Sequence, residues 1–191
     1  MRMICLVRHG ETDWNKLGKV QGSTDIPLNE TGVRQAQATR DYLAGSDFDL
    51  IIASPMKRAR KTAAIINEAL QLPIVEMEGF VERGFGEAEG LTREEREAKY
   101  PSFDFPGMET WEDLVARVMQ ALQEVNAKYG DKKILLVAHG AVISAILSTI
   151  SDGEYDVENT RLVNACISNI QFIEEKWKVH NFNFSDHLAN I

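Results

Sequence analysis

Arg8-His9-Gly10 follows directly on the apolar run Met3–Val7, and the same order returns where Ile134–Ala138 runs into His139-Gly140. A short apolar run that stops at a glycine reads as a buried strand delivering its last residues to the carboxyl edge of a sheet. In open α/β sheets, ligands bind at that edge. Here the edge holds a permanent cation, two imidazoles that can change charge near neutral pH, and glycines that permit close backbone approach. Arg58 joins them from the first turns of a helix that follows the strand Asp49–Ala53 and Ser54-Pro55, a place where backbone and guanidinium both favour an anion. Glu82, in Phe80-Val81-Glu82-Arg83-Gly84, offers a carboxylate able to reach over the edge, with Glu87 as its competitor. Two arginines, two histidines and a carboxylate suit phosphoryl transfer without a metal. They supply a nitrogen nucleophile, cations for the equatorial oxygens and an acid for the leaving group.

The elements that must position these residues alternate strand and helix. Residues 3–7 are the first predicted strand, followed by a polar, glycine-punctuated loop over 8–28. Asn29 caps a helix over about 30–44 that carries Ala36, Ala38, Tyr42 and Leu43. After the strand at 49–53 comes a helix over 56–70 with the stripe Ala59, Ala63, Ile66 and Leu70, then a short strand at 73–76. Residues 79–108 break the rhythm. Gly79, Gly84, Gly86 and Gly90 open this segment, Thr92-Arg93-Glu94-Glu95 resembles a capping box, and Pro101 ends the short helix. The segment reads as a lid or subdomain over the sheet edge. A long amphipathic helix over 109–128 carries Trp111, Leu114, Val118 and Leu122 on its core stripe. A strand at 134–138, a helix over about 140–150 and a hairpin of 166–173 and 176–182, turned at Glu174-Glu175, complete the chain. The predicted fold class is α/β. It is a three-layer α/β/α sandwich in one domain, 1–191, with a mainly parallel central sheet, an antiparallel edge strand and a short lid subdomain.

Five segments carry a family resemblance: R-H-G-E-T-D-W-N at 8–15, V-Q-G-S-T-D-I-P-L-N at 20–29, S-P-M-K-R-A-R-K-T-A at 54–63, V-E-R-G-F-G-E-A-E-G at 81–90 and V-A-H-G at 137–140. In this order and spacing they resemble the successive blocks of the histidine phosphatase superfamily, the phosphoglycerate mutase-like group. The resemblance implies that His9 is the nucleophile, forming a phosphohistidine through Nε2. It implies that Arg8, Arg58 and His139 bind the phosphoryl group, with Glu82 as proton donor and then base. Asn15, Gln21 and Gly22 would line the substrate pocket, with no cofactor and no metal. A neutral His9 beside a protonated His139 would suit attack and anion binding respectively. Mutases of the family grip a second acidic group with a basic insertion in the lid. Here the lid is short and acidic and no Arg-Arg pair occurs, which favours a phosphomonoesterase. The alternatives are a phosphoglycerate mutase, a narrow sugar-bisphosphatase, or a non-catalytic protein that binds a phosphorylated ligand.

Composition sets the outer bounds. The 191 residues suffice for a sizeable core, and 21 basic against 29 acidic residues give a net charge of -8. That balance argues against nucleic acid and anionic membranes as partners and leaves a small-molecule phosphate ester as the expected one. Cys5 and Cys166 are too few for a disulfide framework and read as buried hydrophobes in a reducing compartment. Met1-Arg2 leads straight into the first strand and no apolar run nears the ~20 residues that span a bilayer, so a cytoplasmic location is expected. No oligomeric state is assigned. His180, His187 and Arg60 read as structural or surface residues. Phe80, Phe85, Phe103, Phe105, Met108 and Trp111 form either the lid's own core or an apolar mouth.

Overall fold

The computed structural model describes residues 2–156 and 161–191. Its six strands are β1 (Arg2–Arg8), β2 (Leu50–Ala53), β3 (Ile74–Glu76), β4 (Ile134–Ala138), β5 (Ile167–Ile173) and β6 (Lys176–Phe184). They form one sheet in the order β3-β2-β4-β1-β5-β6. The first four of these pair in parallel, and β5 and β6 are antiparallel, so the predicted edge strand is a two-stranded antiparallel flank. The hairpin turns at Glu174 and Glu175, both left-handed at φ 52° and 64°. That geometry matches the twist of its strands without using glycine.

Burial on both faces explains the unbroken apolar runs of the central strands. Alternate residues of β1 part to opposite sides. Ile4 and Leu6 face the core under helices α5 (Trp111–Tyr129) and α6 (Gly140–Ile150), while Cys5 and Val7 face the core under α2 (Glu30–Leu43) and α3 (Lys57–Leu70). The three layers therefore stand as expected. Both thiols are buried, and burial pushes Cys5 up to about 12 and Cys166 to about 11, so both stay protonated and pack as small hydrophobes.

Two local readings change. The expected loop over 8–28 contains a short helix, α1 (Asp13–Leu17). Thr12 caps it, Asn15 returns the bond to the Thr12 backbone, and Gly18 ends it at φ 69°, where an L side chain is strained. At five residues it is too short for its periodicity to stand out from the loop. Of the five aromatics singled out in and beside the lid, Phe80 belongs to the main core, and Trp111 packs against that core. The segment also contains α4 (Arg93–Lys99), capped by Thr92 as predicted. Among the described residues no helix is long and apolar enough to cross a membrane.

Candidate active site

The ends of β1, β2 and β4 bring the predicted residues together. His9 and His139 stand with ring centroids 5.2 Å apart and planes tilted by 60°. His9 Nδ1 lies 2.6 Å from the Gly10 carbonyl oxygen, which can only accept. Nδ1 therefore carries the proton, and the lone pair sits on Nε2. The turn after β1 is held open by Thr62 of α3, whose hydroxyl accepts from the Gly10 N–H at 3.1 Å. A Cβ on Gly10 would stand 2.5 Å from the Gly32 carbonyl oxygen, so β1 meets the start of α2 backbone to backbone.

His139 is tied to Ser54, a residue the sequence reading passed over. His139 Nε2 lies 2.8 Å from Ser54 Oγ, which already accepts from the Met56 N–H. We assign the hydroxyl proton to this bond, with Ser54 donating to Nε2, which puts His139's own proton on Nδ1. Burial, then His9 and the arginine charges, hold His139 well below the usual histidine range. This direction runs against the expectation of a cationic His139: in the unliganded site desolvation and the cationic neighbours oppose a further positive charge, and the neutral ring still presents an N–H donor. His9 is also lowered well below the usual range, by burial and then by Arg8 and Arg58.

The two arginines are anchored at one end. Arg58 is 1 % exposed, and its terminal nitrogens donate to the carbonyls of Thr24 and Gly22 at 2.8 Å. Arg8 donates to the Leu162 carbonyl at 2.6 Å. Arg8 Nε, Arg58 Nε and His139 Nδ1 remain buried donors with no protein partner among the described residues. Each such donor costs about 1–3 kcal/mol. Arg8 and Arg58 line the cavity over His9, and their fixed charges form a site that an anion would satisfy.

Glu82 reaches the same place from the segment after β3. Its Oε1 accepts from the Arg83 N–H at 2.8 Å, and its Oε2 accepts from the Ala141 N–H at 3.3 Å, at the start of α6. Those bonds and the two arginines favour the carboxylate, but burial outweighs them, and the group is raised above the usual carboxylate range. Glu87, the competitor, is exposed and accepts from the Tyr100 hydroxyl. That contact removes it from contention.

A cavity of about 500 Å³ opens over His9, lined also by Arg8, Arg58, Glu82, Asn15, Gln21 and Gly22. His139 stands behind His9, fully buried, and does not line it. Asn15 Oδ1 accepts from the Thr12 N–H and from Asn164 Nδ2, both at 3.1 Å, which leaves the Asn15 amide hydrogens for a ligand. Thr12 fixes Gln21 the same way, donating its hydroxyl to Gln21 Oε1 at 2.7 Å. Three lining groups were not singled out from sequence, Lys19, Val20 and Arg161, while Phe85, Phe103 and Phe105 supply the apolar wall that the sequence offered as a mouth. Phe105 is buried and Phe103 is 55 % exposed, so the lid aromatics serve as mouth and local core together. His187 is structural, stacked on Phe184 and Tyr42 and bonded to Thr39 and Ala165. His180 is exposed on β6.

Glu89 links the lid to the loop that holds Arg58. Its carboxylate accepts from the Ser23 and Phe85 N–H groups at 3.0 and 2.9 Å and from the Thr24 hydroxyl at 2.6 Å. Gly22, at φ 53°, has no room for a Cβ against that carboxylate. Glu89→Ala is expected to destabilise the fold by about 2–4 kcal/mol, because three donors lose a charged acceptor. Thermal unfolding measures this, and a melting point within a degree of the parent would mean that the bracket bears no weight.

The family model of the histidine phosphatase superfamily (branch 1) matches residues 4–185. The chain is 55% identical over 189 residues to an uncharacterized phosphatase PhoE of Bacillus subtilis, covering 99% of this chain and 98% of that one. It is 30% identical over 202 residues to a metal-independent phosphoserine phosphatase of Arabidopsis thaliana, covering 98% and 84%. A solved phosphoserine phosphatase mutant of Entamoeba histolytica, in complex with phosphoserine, superposes with a TM-score of 0.86 at 32% identity, covering 98% and 100%.

Proposed function

Since the chain belongs to branch 1 of the histidine phosphatase superfamily, we propose that it is a metal-independent phosphomonoesterase acting on small phosphate esters through a phosphohistidine on His9. The observation that carries this reading is the His9 tautomer, fixed by the Gly10 carbonyl, in a cavity that Arg8 and Arg58 also line. In the first step the Nε2 lone pair attacks phosphorus and the P–O bond to the leaving group breaks. Glu82, whose acid form burial favours, gives its proton to the departing oxygen. Arg8, Arg58 and the His139 N–H offset charge on the phosphoryl oxygens. In the second step the Glu82 carboxylate takes a proton from water as the water oxygen attacks phosphorus. Phosphate leaves and His9 is restored. Asn15, Gln21 and Gly22 line the pocket that receives the ester.

The lid supports hydrolysis over mutase chemistry. Arg93 and Arg96 lie on Glu97, and Arg83 donates to the Glu109 carbonyl, so these lid cations are already engaged. Transfer of labelled phosphate from 2,3-bisphosphoglycerate to a monophosphoglycerate would favour a mutase instead. The buried thiols accord with a reducing cytoplasm.

Phosphate release from p-nitrophenyl phosphate and 3-phosphoglycerate is expected to persist unchanged in EDTA. Loss of release on chelation, restored by a divalent cation, would overturn metal independence. Release from neither ester would overturn the phosphatase reading.

A further inference from the structure

The cavity over His9 carries more positive charge than one phosphoryl group uses. Arg8 and Arg58 answer the phosphoryl dianion, yet Lys19 and Arg161 line the same cavity. Neither lies within ion-pair distance of a carboxylate among the described residues, whereas Arg40, Arg60, Arg93, Arg96, Arg117 and Lys133 all do. On a chain of net charge -8, two uncompensated cations beside two buried ones oppose folding through mutual repulsion. Arg161 is near enough to Arg8 to work against its charge.

Both residues are held in place by their backbones. Asn183, in a left-handed position at φ 54°, grips the segment entering β5: it donates to the Arg161 carbonyl at 2.9 Å and accepts from the Val163 N–H at 3.0 Å. Arg8 holds the same segment at Leu162. Lys19 donates its N–H to the Trp14 carbonyl at 2.8 Å and bridges to Thr92 of the lid, with its ammonium 5.9 Å from the Trp14 ring centre. The two cations therefore enter one cavity from separate walls, the loop after α1 and the segment leading into β5. Unpaired cations beside a bound phosphoryl group suit a second anionic group on the same molecule.

We propose that Lys19 and Arg161 form a subsite for a second anionic group, a carboxylate or a second phosphate, so that the preferred substrates are small phosphate esters carrying two anionic groups. The proposal rests on the reading of the His9 pocket as a phosphoryl site. It goes further by assigning leaving-group recognition to residues outside the five sequence blocks.

The test compares esters that differ in the second group. 3-Phosphoglycerate carries a carboxylate, 1,3-propanediol bisphosphate a second phosphate, and glycerol 3-phosphate neither. For the parent enzyme, kcat/KM is expected to favour at least one dianionic-plus ester over glycerol 3-phosphate by about tenfold or more. Which of the two is favoured identifies the group. Lys19→Met with Arg161→Met should collapse that ratio towards one, mainly through KM, while Arg161→Lys should keep most of it. A parent ratio near one, or a ratio that survives the double substitution, overturns the proposal. The same three esters are titrated calorimetrically into His9→Ala, with and without the double substitution. If no ester is hydrolysed, the phosphatase reading fails, but this binding ratio still decides the subsite by the same criterion.

Discussion

His9→Ala is expected to lower phosphate release by about 10⁴-fold or more, the loss typical of removing a covalent nucleophile. The reason lies in what remains. His139, 5.2 Å away, has Nε2 against Ser54 and a proton on Nδ1, so it offers no lone pair to the cavity. No other imidazole lines the cavity. Rapid quenching of the parent enzyme should trap a base-stable, acid-labile phosphoenzyme that the variant lacks. Residual turnover within tenfold of the parent would sink His9 as nucleophile, and a trapped phosphoenzyme in the variant would move the role to another side chain. The cavity donors survive the substitution, so the variant should still bind inorganic phosphate.

Glu82→Gln carries the second large effect, and it depends on the leaving group. Glutamine keeps the shape, and its single carbonyl oxygen accepts from one of the two N–H groups that the carboxylate served, Arg83 or Ala141, but the amide has no acidic proton to give. Hydrolysis of an alkyl phosphate should fall about 10²–10⁴-fold, the usual contribution of a positioned acid. p-Nitrophenyl phosphate, whose leaving group departs unprotonated, should lose far less. The pH profile follows from two opposite shifts. Neutral His9 is present above its depressed pKa, so activity is lost only when pH falls below the ordinary histidine range. Protonated Glu82 is present below its raised pKa, so activity declines as pH climbs past a value above the ordinary carboxylate range. The variant should lose the alkaline limb and keep the acid one. Equal losses on both leaving groups, with both limbs intact, would exclude Glu82 as the acid.

Much of this site was legible because its parts coincide with strand ends. Apolar runs of four or five residues that stop at histidine and glycine announce both a buried strand and its exposed edge, which places Arg8, His9 and His139. Arg58 and Glu82 needed the surrounding blocks, since a lone arginine on a helix or one glutamate among five carries no position. What stayed hidden depends on long-range pairing. Ser54 reaches His139 across 85 positions of sequence, and Asn164 reaches Asn15 across 149. Arg161 enters the cavity only because β5 pairs with β1. A side chain whose role is set by a partner so distant leaves no local pattern. The short helix at Asp13–Leu17 was hidden differently: its caps were visible in Thr12 and Gly18, but five residues are too few for a periodic stripe.

The position of β1 has a consequence for how the protein is made. β1, the first of the six strands to be made, lies between β4 and β5, whose residues begin more than 120 positions later. Neither of its edges can be satisfied until most of the chain has emerged from the ribosome. The nascent protein must therefore shelter an apolar strand with two open edges, a species prone to aggregation. Closing those contacts last makes for slow folding, governed by loop closure over long separations. At the same moment Leu162 and Asn164 arrive beside Arg8 and His9. Catalytic competence and a protected sheet are thus acquired together, once β5 has been made, and a ribosome-stalled fragment ending before β5 should have neither.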